Sequence, residues 1–225
     1  MTTTVNEKEL SATDVFKAYV SALHAMLLAA MLIIFGLGAS ILYQTHLGQK
    51  NVELIAQLLA EKEELALENI RLQEIATPIQ ERIKRGANYI HQKHKVDMKV
   101  ALEYSHKEMV ESLRKGIPFA VGLAISEQES GFRSRAVSHT GCCYGLKQIH
   151  LRVWNKEMGV TLSQLYDPQE NIRISYEILD RYRQADGSLY TAIRRYYGST
   201  VPEENVAYAA SVLRRSERIA AFINS

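Results

Sequence analysis

Glu129 occupies a position that favours acid–base chemistry. It follows the apolar segment FAVGLAISEQ (119–128) and precedes Ser130, Gly131 and Phe132. A carboxyl group placed against apolar walls has its charged form disfavoured, so its pKa rises and it can hold a proton near neutral pH. Cleavage of a glycosidic bond needs such a proton donor at the leaving oxygen. The alternative is a surface glutamate that only ends a helix, and position alone does not separate the two.

Neighbouring residues offer little competing chemistry. Glu127 lies about 200° around a helix from Glu129, so we do not expect it to face the same bond. A second candidate set consists of potential zinc ligands: His139, Cys142, Cys143 and His150. Zinc is disfavoured there because adjacent cysteines point in divergent directions and the spacing fits no familiar zinc pattern. We therefore expect one catalytic carboxylate, with no metal and no cofactor.

Several short motifs surround Glu129 in a fixed order. They are Glu129-Ser130-Gly131-Phe132, Ala136-Val137-Ser138, Gly145-Leu146-Lys147-Gln148, Asp167-Pro168 with Asn171-Ile172, and Arg195-Tyr196-Tyr197-Gly198. Together they resemble the lytic transglycosylase family, whose usual pattern is E-S-G-F, A-x-S, G-A-x-G-L-M-Q, D-P-x-x-N-I and A-Y-N-x-G. Short motifs in register are more specific than any one of them. The resemblance covers roughly residues 118–213.

The resemblance implies a role for each matching residue. Glu129 matches the family's catalytic acid/base. Substrate contacts are implied for five residues: Ser138, Lys147, Gln148, Asn171 and Tyr196. Among these, Tyr196 matches the tyrosine whose hydroxyl lies beside the glutamate, and Asn171 matches a structural or groove asparagine. Tyr208 resembles a tyrosine near the end of the family pattern.

Three positions depart from the family pattern. Lys147 stands where the family usually has Met, and Cys142 replaces a usual Ala. Tyr197 takes the place of the usual Asn, with one residue missing before Gly198. These departures bear on fine specificity more than on the reaction class.

The resemblance also implies a fold and a reaction. We expect a mainly α-helical, lysozyme-like catalytic domain over residues 87–225, with peptidoglycan as its substrate. Glu129 would protonate the oxygen between N-acetylmuramic acid and N-acetylglucosamine, then deprotonate the muramic hydroxyl that closes an anhydro ring. Water is not consumed, so the enzyme is formally a lyase. The alternatives are a goose-type lysozyme that hydrolyses the bond and a non-catalytic wall-binding membrane protein.

Local signals predict helices in this domain, and no alternating run is long enough to indicate a sheet. Asp167 at an N-cap, Pro168 at the first helical position and Glu170 in a capping box mark the start of one helix, which should run to about Arg183. The other predicted helices are 98–114, 119–128, 145–158, 188–197 and 202–223.

An apolar segment near the N-terminus predicts a membrane anchor. Residues 25–43 read AMLLAAMLIIFGLGASILY without a charge, close to the roughly 20 residues that a membrane-spanning helix needs. We expect a tail at 1–23 and an uncleaved anchor at 24–44, because a cleaved signal peptide would need an A-x-A site that is not found here. Lysines flank this segment on both sides, so the distribution of positive charge does not predict which end of the anchor lies in the cytoplasm. The substrate places the catalytic domain on the periplasmic or outer side of the inner membrane.

A heptad pattern follows the anchor at residues 50–85. The a positions are Ile55, Lys62, Asn69 and Ala76, and the d positions are Leu58, Leu65, Leu72 and Ile79. Leucine at d with one Asn at a favours a parallel dimer, so we expect a homo-oligomeric coiled-coil stalk. The alternative is a monomeric amphipathic helix lying on its own catalytic domain.

Composition limits the other functions. The chain has 225 residues, 47% of them hydrophobic, and a formal net charge of +2. A charge this small does not indicate a nucleic acid partner. The sequence leaves the biological setting open among phage entry or lysis, a DNA-transfer apparatus and wall turnover. No further wall-binding domain of the kind expected in a housekeeping enzyme is recognised. By analogy we therefore favour two settings, a phage whose virion carries the protein or a DNA-transfer apparatus.

Overall fold

A computed structural model describes residues 46–71 and 78–225, which are mainly helical. The elements are α1 (residues 46–71), α2 (Ile79–His94), α3 (Met98–Lys115), α4 (Phe119–Ser130), β1 (Cys143–Tyr144), β2 (Ile149–His150), α5 (Leu151–Met158), α6 (Leu162–Tyr166), α7 (Pro168–Asp186), α8 (Leu189–Tyr197) and α9 (Pro202–Asn224). The described residues fall into two units, one ending at Leu58 and the other running from Leu59 to Ser225.

The predicted tail and membrane anchor, residues 1–23 and 24–44, lie outside the described residues. Within residues 46–71 and 78–225, no helix combines the length and the apolar character that crossing a bilayer requires. The anchor therefore stays a prediction from the sequence.

Local capping explains why α3 and α7 begin and end close to the predicted residues. The Asp167 side chain accepts hydrogen bonds from the backbone N–H groups of Gln169 and Glu170, at 2.8 and 3.2 Å. Asp97 caps α3 in the same way, and Gly116 ends it in the left-handed region with φ +60°. Such caps satisfy backbone groups that the helix itself leaves unpaired. The predicted positions of these two helices and the Asp167 N-cap are confirmed. The Glu170 side chain pairs with Arg173 and does not complete the predicted capping box.

The prediction of a helix over 145–158 is wrong in its first part, where a tight turn and a two-residue strand precede the helix. Strands β1 and β2 pair antiparallel, with Cys143 opposite His150. A tight turn joins them, with φ +82° at Gly145 and φ +46° at Gln148. A Cβ at Gly145 would also clash with the carbonyl oxygen of Leu165. The helix begins only at Leu151, as α5.

Helix α4 forms the centre of the second unit. Its residues from Phe119 to Ser126 are all buried, because α3 and α9 pack against it. Gly122 allows a close approach here, since a Cβ at this position would clash with the Tyr176 hydroxyl and the Glu108 carboxylate. The predicted apolar helix is confirmed and extends to Ser130.

The part of α1 that belongs to the second unit buries a face other than the predicted seam. Leu67 and Ile70 are only 4% and 2% exposed and join the core. The carboxylate of Glu64 accepts a hydrogen bond from the backbone N–H of Tyr190 at 3.3 Å. Leu65, a d residue, is 65% exposed. This segment therefore packs on the catalytic domain, while Leu65 faces solvent.

Candidate active site

A cleft of about 450 Å³ lies at the end of α4. The residues lining it are Glu129, Ser138, Thr140, Cys143, Gln148, Tyr196, Tyr197, Gly198, Ser199 and Glu204. Four predicted site residues are therefore brought together: Glu129, Ser138, Gln148 and Tyr196. The cleft is assembled by the end of α4, the β1–β2 hairpin with its preceding loop, the end of α8 and the start of α9.

The Glu129 carboxyl is a proton donor suited to neutral pH. Burial raises its pKa from the usual 4.5 to about 7, because the charged form loses its hydration. A hydrogen bond from Tyr208 and the positive charge of Lys147 act in the opposite direction and lower this pKa. The raised pKa agrees with the expectation drawn from the apolar sequence before Glu129.

Tyr208 is the tyrosine that donates a hydrogen bond to the acid. The hydroxyl of Tyr208 donates to Oε1 of Glu129 at 2.5 Å. The hydroxyl of Tyr196 instead donates to the backbone carbonyl of Lys147 at 3.0 Å. Tyr196 lines the same cleft as Glu129 and interacts with it electrostatically, so the expectation that its hydroxyl lies beside the acid stays a prediction. Burial raises the pKa of Tyr208 well above its usual value, so the phenol remains a neutral donor.

Ser138 and Gln148 line the cleft with side chains that also hold its loops. The Ser138 Oγ accepts hydrogen bonds from the backbone N–H groups of Cys142 and Cys143, at 3.2 and 3.0 Å. The Gln148 Nε2 donates to the carbonyl oxygens of Ala136 and Gly145, at 3.1 and 2.9 Å. Both side chains are thus oriented by backbone contacts before any substrate arrives.

Lys147 and Asn171 are not among the residues that line the cleft. The burial of Lys147 does not support the substrate contact expected for it, and the contacts of Asn171 fit the structural role, one of the two that the resemblance left open. Both are completely buried. The Asn171 side chain accepts from the backbone N–H of Lys147 at 2.8 Å and donates to the carbonyl oxygens of Tyr144 and Leu165. The Lys147 ammonium points into the core. These two residues shape the turn below the cleft instead of its surface.

The family model described as Transglycosylase SLT domain matches residues 109–201. This part of the chain is a transglycosylase SLT domain. Such a domain indicates a lytic transglycosylase, a lyase that acts on peptidoglycan. A search of curated proteins finds no match. The matched segment contains Glu129 and ends before Tyr208, so the residue that donates to the acid lies outside it.

Glu127 of the SLT domain faces away from the cleft, as the helical spacing predicts. Its carboxylate accepts a hydrogen bond from the Tyr89 hydroxyl at 2.8 Å. It also pairs with Arg215 and Arg218, at 2.9 and 2.7 Å. This network ties α4 to α2 and α9 and leaves Glu129 as the carboxylate that α4 contributes to the cleft.

Glu204 is a cleft residue that the sequence did not reveal. It is exposed in the first turn of α9, and its carboxylate accepts a hydrogen bond from Ser199 at 2.5 Å. No motif marks this position, which lies beyond the matched segment. Two carboxyl groups therefore line the cleft, and the expectation that Glu129 is the one catalytic carboxylate stays a prediction.

The two thiols beside the cleft are free, and their Sγ atoms are 3.1 Å apart. In the portion of the chain that the structure describes, no group of three or more His, Cys, Asp or Glu side chains is arranged to hold a metal ion.

Replacing Tyr208 by Phe should move the alkaline limb of the pH–activity profile upwards. The phenol donates to the Glu129 carboxylate and so favours its ionised form, and its loss raises the pKa of Glu129. Since the acid must be protonated to act, activity persists to higher pH, while the rate at the optimum falls. Peptidoglycan turbidity assays across pH 5–9 measure both effects. Tyr196→Phe is the matched control, and an equal shift in that variant would contradict the assignment.

Proposed function

We propose that the SLT domain cleaves the bond between N-acetylmuramic acid and N-acetylglucosamine and leaves an anhydro-muramic product. The observation that carries this proposal is the Glu129 carboxyl, whose pKa of about 7 lets it both give and take a proton near neutrality. It lies in an open cleft whose size and polar lining suit a saccharide.

In the first step, Glu129 transfers its proton to the glycosidic oxygen as the bond from that oxygen to the muramic C1 breaks. The N-acetyl group of the substrate stabilises the developing cation. The hydrogen bond from Tyr208 stabilises the carboxylate that Glu129 becomes. In the second step, that carboxylate takes the proton of the muramic C6 hydroxyl, whose oxygen bonds to C1 and closes the ring. Glu129 is then protonated again, and no water is consumed.

Hydrolysis of the same bond is the second candidate, as in a goose-type lysozyme. The observation that favours it is Glu204, the other carboxylate of the cleft. A second carboxylate can activate water or bond to the sugar, depending on its separation from the acid. The products distinguish the two reactions, since hydrolysis leaves a free reducing end and the lyase reaction leaves an anhydro ring.

Glu129→Gln should reduce wall lysis by about 100-fold or more, because the amide can neither give nor take the proton. The variant should also be more thermally stable than the parent at pH 8 and not at pH 4. A carboxyl with a folded pKa of about 7 stabilises the fold below its ordinary pKa of 4.5, and this contribution is lost as pH rises through 7. Turbidity assays, thermal denaturation and mass spectrometry of the products measure these effects.

The matched control is Glu127→Gln, the same change two residues away. It weakens the contacts to Tyr89, Arg215 and Arg218 and should lower stability while retaining lysis. Retained lysis in a folded Glu129→Gln variant would refute the catalytic role. Reducing-end products from the parent protein would move the reaction to hydrolysis.

We also propose that residues 24–44 anchor the protein in the inner membrane with the SLT domain on the periplasmic or outer side. The charge-free segment 25–43 supports this proposal, and the substrate fixes the side, since peptidoglycan lies outside that membrane. A phage or a DNA-transfer apparatus that opens the wall locally is the setting that we favour. A protein delivered from a virion would reach the same compartment by inserting from outside.

A reporter enzyme that is active only after export, fused behind Ser225, should be active in this topology. The fused domain should also be digested when protease is added to spheroplasts. Deletion of 24–44 is the control and should silence the reporter. A protected domain and a silent reporter in the undeleted fusion would contradict the proposed orientation.

We further propose that the stalk associates with a second copy of the chain through its a and d residues. Ile55, Leu58 and Leu65 are each more than half exposed, at 56%, 55% and 65%. An isolated leucine on a surface is common, but apolar residues at heptad spacing suit an equivalent helix. In a parallel pair, Lys62 at a would lie near Glu61 at g of the partner copy, and opposite charges there favour association.

Leu65→Glu should shift the full chain in detergent micelles from dimer to monomer in sedimentation equilibrium. Like charges would then meet across the seam. Leu67→Ala, two residues along the same helix, is the control: it should lower the free energy of unfolding by about 2–5 kcal/mol and leave association unchanged. If the parent protein is monomeric at high concentration, the proposed association through the a and d residues is wrong.

A further inference from the structure

A positive and a negative side chain are enclosed together beneath the cleft. Lys147 Nζ lies 2.7 Å from Oε1 of Glu108, and both residues are 0% exposed. Lysine and glutamate are almost never fully buried unless they are paired, because removing either charge from water is costly. Because this buried pair lies beside the proposed catalytic acid, we consider a role of the pair in the reaction.

The pair binds the hairpin turn to the catalytic helix. Lys147 Nζ donates to the carbonyl oxygen of Gly122 at 2.6 Å, and Ser126 donates to Glu108 Oε1 at 2.8 Å. Gly122 and Ser126 lie one turn apart on α4, the helix that ends with Glu129. The missing side chain of Gly122 leaves the space that the Glu108 carboxylate occupies. Glycine within a helix costs roughly 0.5–1 kcal/mol relative to alanine, so room for the pair explains its presence here.

The backbone of Lys147 positions two further groups. Its N–H donates to Asn171, and its carbonyl oxygen accepts from the hydroxyl of Tyr196. The next residue, Gln148, lines the cleft from a left-handed backbone conformation, with φ +46°. Displacement of the Lys147 side chain would therefore move both Gln148 and Tyr196 relative to Glu129.

Lys147 also acts on Glu129 through its charge. The groups that face Glu129 electrostatically are Lys147, Tyr208, Tyr196 and Cys143. The ammonium of Lys147 is the cation among them. It lowers the pKa of Glu129 and so limits the rise that burial causes. Burial in turn lowers the pKa of Lys147, and the carboxylate of Glu108 opposes that change.

We propose that Lys147 and Glu108 form a buried positioning pair for the transglycosylase reaction. The pair fixes the cleft turn to α4 and places a positive charge behind the catalytic carboxyl. Lys147 stands where the resembled family usually has Met, so this chain uses an ion pair at a place that an apolar side chain fills elsewhere. The charge favours the ionised form of Glu129, which is the form that must take the proton of the muramic hydroxyl in the second step.

The test replaces both charges with neutral side chains of similar size, as Lys147→Met/Glu108→Gln. Lys147→Met alone would leave Glu108 buried without its cation and is expected to unfold at a much lower temperature. The double variant should recover most of the thermal stability that Lys147→Met loses. The alkaline limb of its pH–activity profile should lie about one pH unit higher than in the parent, as expected when a nearby opposite charge is removed. The kcat at the optimum should fall more than KM rises.

The matched control is Lys115→Met, which removes a partly buried cation that pairs with Glu177 and Asp180 in the same domain. It should lower stability without moving the pH profile. A folded double variant with the profile of the parent would overturn the proposal and leave the pair a purely structural contact.

A second measurement needs no variant. In the full chain with ¹⁵N-labelled lysine and ¹³C-labelled glutamate, the Lys147 nitrogen should show the signal of an ammonium throughout the titration of Glu129. A neutral amine at pH 7 would overturn the proposal even if no variant folds. The inference rests on the proposed role of Glu129, but this readout follows ionisation and not lysis, so the two can fail separately.

Discussion

The loss of water around the Glu129 carboxyl is the constraint on which the rest of the catalytic domain depends. In water this group would ionise near its ordinary pKa of 4.5 and have no proton to give at neutral pH, whereas burial raises the pKa to about 7. Its place at the carboxyl end of α4 acts in the same direction, since that end of a helix disfavours negative charge. Helix α4 can carry the acid into such a site only because Phe119 to Ser126 are buried under α3 and α9. The same packing therefore makes the core and prepares the acid.

Helix α9 decides what each glutamate of α4 becomes. Arg215 and Arg218 pair with Glu127, while the neutral phenol of Tyr208 donates to Glu129. Helix α9 thus offers two guanidinium groups to Glu127 and an uncharged donor to Glu129. A guanidinium in place of Tyr208 would hold Glu129 ionised and remove its proton. Helix α9 lies beyond the matched segment 109–201, yet it supplies this essential neutral contact.

A feature of the fold could be predicted from the sequence when the contacts that determine it join residues close together along the chain. The start of α7 is determined by Asp167 and the next few residues, so it could be predicted from the sequence. The turn before α5 could not be predicted. The backbone N–H of Lys147 in this turn donates to the side chain of Asn171, which lies 24 residues further along the chain. The burial of Lys147 depends in the same way on Glu108 and Gly122, on other helices. Glu129 could be assigned from the sequence because several motifs surround it in a fixed order, in addition to the apolar segment before it. The hydrogen bond from Tyr208 to Glu129 depends on tertiary structure and could not be predicted.

The outcome of the reaction depends on water as much as on the acid. Glu129 ends a helix, where negative charge is disfavoured, and Glu204 lies in the first turn of α9, where it is favoured. Two carboxyl groups on one cleft are what hydrolysis by an acid and a second carboxylate requires. Glu204 is exposed, so the protein by itself does not exclude water from that side. In the proposed lyase reaction, ring closure competes with water because the muramic hydroxyl is part of the bound substrate, with an effective concentration far above that of an independent molecule. The choice between lyase and hydrolase chemistry therefore depends on how a bound glycan would occupy the cleft beside Glu204.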